Sequence, residues 1–411
     1  MRVVIVGAGL GGLVLAHALR DHADVVVLDR DAEAADTGGY RIALTPEAVA
    51  VVEQHVPASV VERIREVSDG PETFAQFTIA DAQLRPIVVA PEPEGQDRML
   101  CQRRALRLIL ADDLGERIRF ASTVVAARSR ADGASVALSD GTEIDADLVV
   151  AADGARSSVV EAVTERPTSD DAGLIGIAGS SPMTAGATFP RYLAQGPALA
   201  LDHRGVGMFL SLASRRTARL DAAWAGLSPE LRSAVGPPAL VWGLIARREM
   251  VADILGAPPG TLIARAHELA AAWHPWMTEQ IETSDPARTA AFSFRAARPH
   301  PPRFPWSPSR VTAIGDAVHA MPPTGGRAGS TAIRSAGALA EALIRESRID
   351  DAVRSYQSRV DEWAVPAIRE SLGPVRVIRA LRAPLVQAVA RPALAVAGVV
   401  GAARYRRSIH P

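Results

Sequence analysis

The sequence predicts an α/β protein. It has a nucleotide-binding unit assembled from separate stretches of chain, a second unit built on an antiparallel sheet, and C-terminal helices. Three observations predict this. The stretch "VVIVGAGLGGLVLAHALRDHADVVVLDRD" reads strand, Gly-rich turn, helix, strand. Residues 173–247 alternate short apolar runs with turn residues. The block "RVTAIGDAVHAMPPTGGRAGSTAIRSA" supplies another apolar strand, a Gly-Asp pair, a Pro/Gly loop and a helix.

The first stretch is the most specific. Val3 to Val6 form a continuous apolar run, as expected of a parallel strand covered on both faces. Gly7, Gly9 and Gly12 follow in G-x-G-x-x-G spacing. The first Gly permits the tight turn, the second lets a pyrophosphate approach the backbone, and the third lets helix and strand pack closely. The helix start offers free N–H groups and a partial positive charge to phosphates. Asp29 ends the second strand, where a carboxylate meets the ribose hydroxyls of a dinucleotide. The pattern predicts a Rossmann-like dinucleotide site.

Composition narrows the function. The chain has 411 residues, too many for one ordinary core, so two or three domains are expected. A formal net charge of -1 gives no basic face for nucleic acid. The single Cys101 excludes an intramolecular disulfide and a Cys-rich zinc site, and the His residues lack ligand spacing, so no metal is expected. All 45 basic residues are Arg, which excludes Schiff-base lysine chemistry, and the chain also lacks Asn. The N-terminal run has the outline of a signal peptide, but cleavage would remove the strand and the Gly-rich turn. The tail "RPALAVAGVVGAARYRR" is apolar then basic. Its apolar part reads as too short to span a bilayer, so a packed helix, no membrane role and a cytoplasmic location are expected.

Three further stretches decide which dinucleotide. "QRRALRLIL" (102–110) places Arg103 on one side of a helix and Leu106 and Leu110 on its buried face. "DADLVVAADGARSS" (145–158) is a buried strand ending in Asp153-Gly154. The third is Gly315-Asp316 with its loop. Together these resemble the single-component FAD-dependent monooxygenases of the p-hydroxybenzoate hydroxylase type, over about the first 160 residues and the block near 310–345. The resemblance implies bound FAD, NAD(P)H as transient co-substrate, O2, and an apolar, aromatic or polyketide-like small molecule that is hydroxylated or epoxidised. It implies secondary metabolism and a monomer or homodimer. It places the ribityl chain on Asp316, and cofactor contacts at Gly7, Gly9, Gly11, Gly12, Asp29, Arg30, Arg41, Arg103, Val124, Asp153, Gly315, Pro323, Gly326, Ala328 and Gly329. Arg41 is expected in the loop after the second strand. The physics agrees: a carboxylate at a strand end suits a chain of hydroxyls. A helix start after a Gly-rich loop suits the anionic pyrimidine end of reduced flavin.

The flavin loop departs from the family pattern. Gly326-Arg327-Ala328-Gly329-Ser330 stands where Gly-Gln-Gly-x-Asn is common, Ser335 where an Asp is usual, and Val160 where an Arg is usual. Ala328 restricts φ where Gly is free, and Arg327 is expected to add charge near the flavin. These departures keep two alternatives open. One is FAD as the scaffold of a non-redox catalyst such as a cyclase. The other is an oxidase or reductase without oxygen insertion.

The remaining elements follow from periodicity. Residues 72–95 read as a hairpin turning near Asp81, and 134–150 as two strands turning at Asp140-Gly141. The runs "LIGIAG", "ALALD", "VGMFLSL", "LDAAWAGL" and "LVWGLIAR" read as strands of the second unit. Helices are expected near 260–273, 327–347 and 350–371. The division is 1–71, 97–170 and 299–347 for the FAD-binding domain, 72–96 and 171–298 for the substrate domain, and 348–411 for the helical tail. No second G-x-G-x-x-G follows a strand, so no separate nicotinamide domain is expected. Arg191, Tyr192 and His203 are candidate substrate contacts, Trp224 and Trp242 core or pocket wall, and His319 a packing residue of the loop. No catalytic residue is named, because in this enzyme type the cofactor carries the chemistry.

Overall fold

The computed structural model describes every residue except 39–40, 94–95, 184–187, 214–217 and 410–411, and leaves undescribed the side chains of 72, 218–219 and 404–409. A five-stranded parallel sheet carries the nucleotide-binding half. Its order is Val311–Ala313, Leu148–Ala151, Arg2–Val6, Asp24–Leu28, Ile118–Arg119. The strands are almost uniformly buried, because helices cover both faces. The helix Leu10–Leu19 is buried along its whole length, which explains why it is apolar all round. The helices Arg103–Leu114 and Ala328–Arg345 pack beside it.

The register fixes the site. Val6 pairs with Ala151, and Ala151 with Ala313. Gly7, Ala152 and Ile314 therefore follow three adjacent strands at the same level. This is the carboxyl edge of a parallel sheet, where such folds bind ligands.

The second sheet has seven strands, in the order Ala290–Ala297, Ser169–Pro182, Ala239–Arg247, Gly207–Ala213, Ala198–Leu201, Gln76–Asp81, Pro86–Pro91. It is antiparallel except where Ala198–Leu201 runs parallel to Gln76–Asp81. Its core surrounds Trp242, whose indole N–H donates to Ser181 and Ser284 Oγ. A Cβ at Gly179 would overlap that ring, so the strand needs glycine there.

Four expectations are corrected. "LDAAWAGL" is not a strand: Ala218–Ala223 is helical and Trp224–Gly226 a tight turn. Leu220, Trp224 and Leu227 follow helical spacing and pack on the nucleotide-binding core. The second run of 134–150 splits into Glu143–Ala146 and Leu148–Ala151, which join different sheets. The switch is at Asp147, whose N–H donates to Arg2 O and whose carboxylate accepts from Arg2 N. The region near 350–371 is two helices, Ile349–Arg359 and Asp361–Ala380. The tail is one helix, Pro384–Ile409, and Pro384–Ala403 has the length and apolarity to cross a membrane. The apolar part that follows Arg391 is short by itself, but the helix also takes in the residues from Pro384, so Arg391 lies inside the apolar stretch.

Candidate functional site

Gly7 and Gly12 make the turn after the first strand possible. Gly7 has φ +111°, and a Cβ there would fall on the Ala152 carbonyl. A Cβ on Gly12 would fall on the Gly7 carbonyl. Gly9 caps the helix Leu10–Leu19 without a side-chain hydrogen bond, and no acid lies in its first turn. The helix Ala328–Arg345 starts the same way, uncapped and without an early acid. The two starts are neighbours: a Cβ on Gly11 would lie 3.2 Å from Ala332 O, and one on Gly315 would lie 3.3 Å from Ala332 Cβ. Two uncapped helix N-termini and the Gly315-Asp316 corner thus converge on Ala332, with positive ends ready for anionic groups.

Asp316 opens the short helix Asp316–His319, which the sequence suggested was loop. Its Oδ1 is buried and has no hydrogen-bond partner. Burial pushes the carboxyl up to about 6, while the Arg103 charge pulls it down. A buried acceptor without a donor is costly unless a ligand fills it. Arg103, first residue of its helix, also donates to Gly38 O at 3.2 Å. Asp153 Oδ1 is likewise buried without a partner, and burial raises that carboxyl too. Its Oδ2 lies 3.4 Å from Ser158 Oγ and Val159 N.

Asp29 is buried at the end of its strand. Its Oδ2 accepts from Ala8 N, and its Oδ1 from Asp31 N at 2.9 Å. The sequence reading missed Arg107. Its guanidinium is 3% exposed, lies 3.2 Å from Asp29 Oδ2, and donates to Asp31 Oδ2 at 2.7 Å and to Ala8 O at 2.8 Å. It locks the Gly-rich turn to the acid that follows the second strand. The available signal was an Arg one helical turn after Arg103, among Leu106, Ile109 and Leu110.

The other expected site residues are placed as follows. Arg30 is exposed beside Asp29, and Val124 is a buried strand residue whose carbonyl accepts from Ser158 Oγ. Arg41 begins the strand Arg41–Leu44 rather than lying in a loop. Its guanidinium is buried against Asp69 and Leu212 O, with Ser211 Oγ at 3.3 Å, so it ties this half to the second sheet. Burial pushes it down to about 9, still charged at neutral pH. Pro323 starts a 3-10 turn that ends at Gly326 with φ +64°. Ala328 is the first helical residue, a conformation alanine favours, and Gly329 lies near Ile42 and Leu10. Tyr192 is core, its hydroxyl donating to Leu84 O, whereas Arg191 is exposed and His203 half-buried.

The unusual loop residues are satisfied by protein groups. Ser330 Oγ accepts from Thr45 N and donates to Ala43 O, pinning the helix start to the strand beside it. Ser335 Oγ accepts from Trp363 Nε1 and lies 2.9 Å from His319 Nε2. Burial pushes His319 down to about 4, so it is neutral at physiological pH. Val160 is buried, and its N–H caps onto Ser157 Oγ. Arg327 pairs with Glu370 at 3.1 Å on the partly exposed rim. Arg327→Gln should therefore cost about 0–1 kcal/mol of stability and leave the FAD dissociation constant within about twofold. FAD titration and thermal melting check this; a larger change in affinity would place the side chain at the cofactor.

A parallel sheet with a Gly-rich turn, two converging helix starts and strand-end carboxylates defines a dinucleotide-binding protein of the flavoprotein class. Residues 1–226 and 266–371 match the family described as FAD binding domain, and the chain belongs to it. It is 26% identical over 404 residues to the dual O-methyltransferase/FAD-dependent monooxygenase elcB of Phaeosphaeria nodorum, covering 88% of this chain and 42% of that protein. It is 27% identical over 409 residues to the chloroplastic zeaxanthin epoxidase of Arabidopsis thaliana, covering 95% and 54%. The chain thus spans about half the length of these curated relatives. Among solved structures, HpxO of Klebsiella pneumoniae with FAD and uric acid superposes with TM-score 0.72 at 19% identity, covering 96% of this chain and 92% of that one. The 2,6-dihydroxypyridine-3-hydroxylase of Arthrobacter nicotinovorans gives TM-score 0.69 at 19% identity, covering 90% of each. These two likenesses establish the fold.

Proposed function

We propose that this protein is an FAD-dependent monooxygenase that uses NAD(P)H and O2 to hydroxylate or epoxidise an apolar small molecule. The observation that carries the cofactor half is Asp316: a buried, unpartnered carboxylate oxygen at the carboxyl edge of the sheet, beside two uncapped helix starts. Supporting the oxygen-transfer half are the relatives, named FAD-dependent monooxygenase and epoxidase.

In this reading, Gly7 to Gly12 and the first turn of Leu10–Leu19 hold the pyrophosphate by backbone N–H groups. Asp29 accepts from Ala8 N and Asp31 N, lies against the Arg107 guanidinium, and keeps acceptor capacity for a ribose hydroxyl. Asp316 accepts from the ribityl hydroxyls. The start of Ala328–Arg345, with Gly326 and Gly329, faces the pyrimidine end of the flavin. When bound, FAD supplies hydride acceptance from NAD(P)H and activation of O2. The neutral His319 supports the corner that carries Asp316 and takes no part as an acid. The segment division given above, with 72–96 and 171–298 as substrate domain, and a cytoplasmic site of action belong to the same proposal.

The test uses the purified holoprotein. Anaerobic flavin reduction by NAD(P)H should be slow alone and much faster with the true substrate, because substrate shifts the population of reducible states. Reconstitution with 5-deaza-FAD should abolish turnover, and labelled O2 should place one labelled atom in the product. Product formed at full rate with that analogue, or without nicotinamide, overturns the proposal.

A further inference from the structure

The helix Pro384–Ile409 differs from every other described helix in what it leaves uncovered. Across Pro384–Ala403 its mean hydropathy is 1.6, yet almost none of that stretch is buried. One face packs on the outer strands of the seven-stranded sheet. Gly398 and Gly401 bring its backbone so close that a Cβ at either would overlap Asp81 Oδ2 or the Pro86 carbonyl. The opposite face carries Leu385 (83% exposed), Val389 (70%), Val396 (63%), Val399 (56%) and Val400 (45%). These recur at helical spacing as one stripe on the solvent side. An apolar-all-round helix belongs in a core or in lipid, and this one has protein on one side only.

Charge indicates what covers the other side. After Glu370 the sequence has no acidic residue, but it has Arg376, Arg379, Arg382, Arg391, Arg404, Arg406 and Arg407. Arg382 meets Glu249, Arg379 donates to Ala172 O, and Asp81 beneath Gly398 is already paired with Arg85. Arg391 is exposed, one heptad before Gly398 and therefore on that side of the helix rather than within the apolar stripe. A second copy placed on this face would bring two arginine-rich, acid-free helices together without counter-charge. An anionic lipid surface supplies it: acyl chains for the stripe and anionic headgroups for the basic, acid-free sequence.

We propose that Pro384–Ile409 lies along an anionic membrane surface, its valine stripe in the headgroup–acyl boundary and the basic, acid-free sequence of its C-terminal end drawn to the anionic headgroups. The helix stays docked on the sheet through Gly398 and Gly401, so it lies on the bilayer rather than spanning it. This does not depend on the catalytic reading.

The test is co-sedimentation of the 411-residue holoprotein with vesicles of phosphatidylcholine alone or with about 30% phosphatidylglycerol, a proportion chosen to give an anionic surface. Partitioning should be at least about tenfold stronger on the anionic vesicles and fall steeply at about 0.5 M salt. Val389→Asp with Val396→Asp should remove it by about tenfold or more, with FAD content and thermal melting unchanged, since both side chains are on the solvent side. Absence of binding to anionic vesicles, or binding unchanged by the double substitution, overturns the proposal. So does a dimer in sedimentation velocity that the same double substitution converts to monomer, because a second copy would then be the occupant of the face.

Discussion

Replacing Arg107 by Met should destabilise the protein by about 3–5 kcal/mol, the usual cost of removing one partner from a buried ion pair. The guanidinium is almost fully buried, donates to Ala8 O and Asp31 Oδ2, and is ion-paired with Asp29 Oδ2 at 3.2 Å. Methionine fills much of the volume but leaves two carboxylates close together without a counter-charge and one backbone carbonyl without a donor. Both carboxylates lie beside the Gly-rich turn, so FAD affinity should fall together with stability. Arg107→Lys restores charge but not the fork that reaches Ala8 O and both carboxylates, and should recover only part of the loss. Urea unfolding with and without FAD measures both effects. A loss under about 1 kcal/mol would mean that the network contributes no more than an exposed pair.

Arg107 also shows where sequence reading stops. Gly7, Gly9, Gly12 and Asp29 were legible because their chemistry is local: a turn, a helix start and a strand end lie within thirty residues. The strand-end acid Asp316 was legible for the same reason. Arg107 draws its meaning from Ala8 and Asp31, 99 and 76 residues away, and no window of sequence contains them together. Ser330 and Ser335 stand at positions where the family pattern has Asn and Asp, departures that kept a non-redox reading open. The structure gives them partners on other elements, Ala43, Thr45, His319 and Trp363. The error at "LDAAWAGL" was of a different kind. A short apolar run fits a strand or a helix, and its alanines and the spacing of Leu220, Trp224 and Leu227 favoured the helix that forms.

Asp316→Ala should weaken FAD binding by about 1–3 kcal/mol, the cost of losing a hydrogen bond to a charged acceptor, and Asp316→Asn should remove its pH dependence. Burial holds the Asp316 carboxyl near 6 against a usual 3.8. In the FAD-free protein both folded and unfolded states are protonated below about pH 4, so this group then makes no difference to stability. As pH rises from about 4 to about 6 the unfolded chain ionises first at this position, and the contribution of Asp316 to the stability of the FAD-free protein falls. FAD binding has the opposite slope, because the ribityl hydroxyls donate and need the ionised acceptor. At pH 5 about one carboxyl in ten is ionised, so affinity should be about tenfold weaker than at pH 7. His319, held near 4 against a usual 6.5, is almost entirely neutral from pH 5 to 7 and does not contribute to the FAD slope, although its own effect on folding stability runs opposite to that of Asp316. Asp153, raised by burial in the same direction, can contribute a parallel slope, which the Asp316→Asn comparison separates. Isothermal titration with FAD at pH 5, 6 and 7 reads the effect directly. If wild type and Asp316→Asn show the same pH profile, the ribityl chain is held elsewhere, and the buried acceptor at the sheet edge belongs to another ligand.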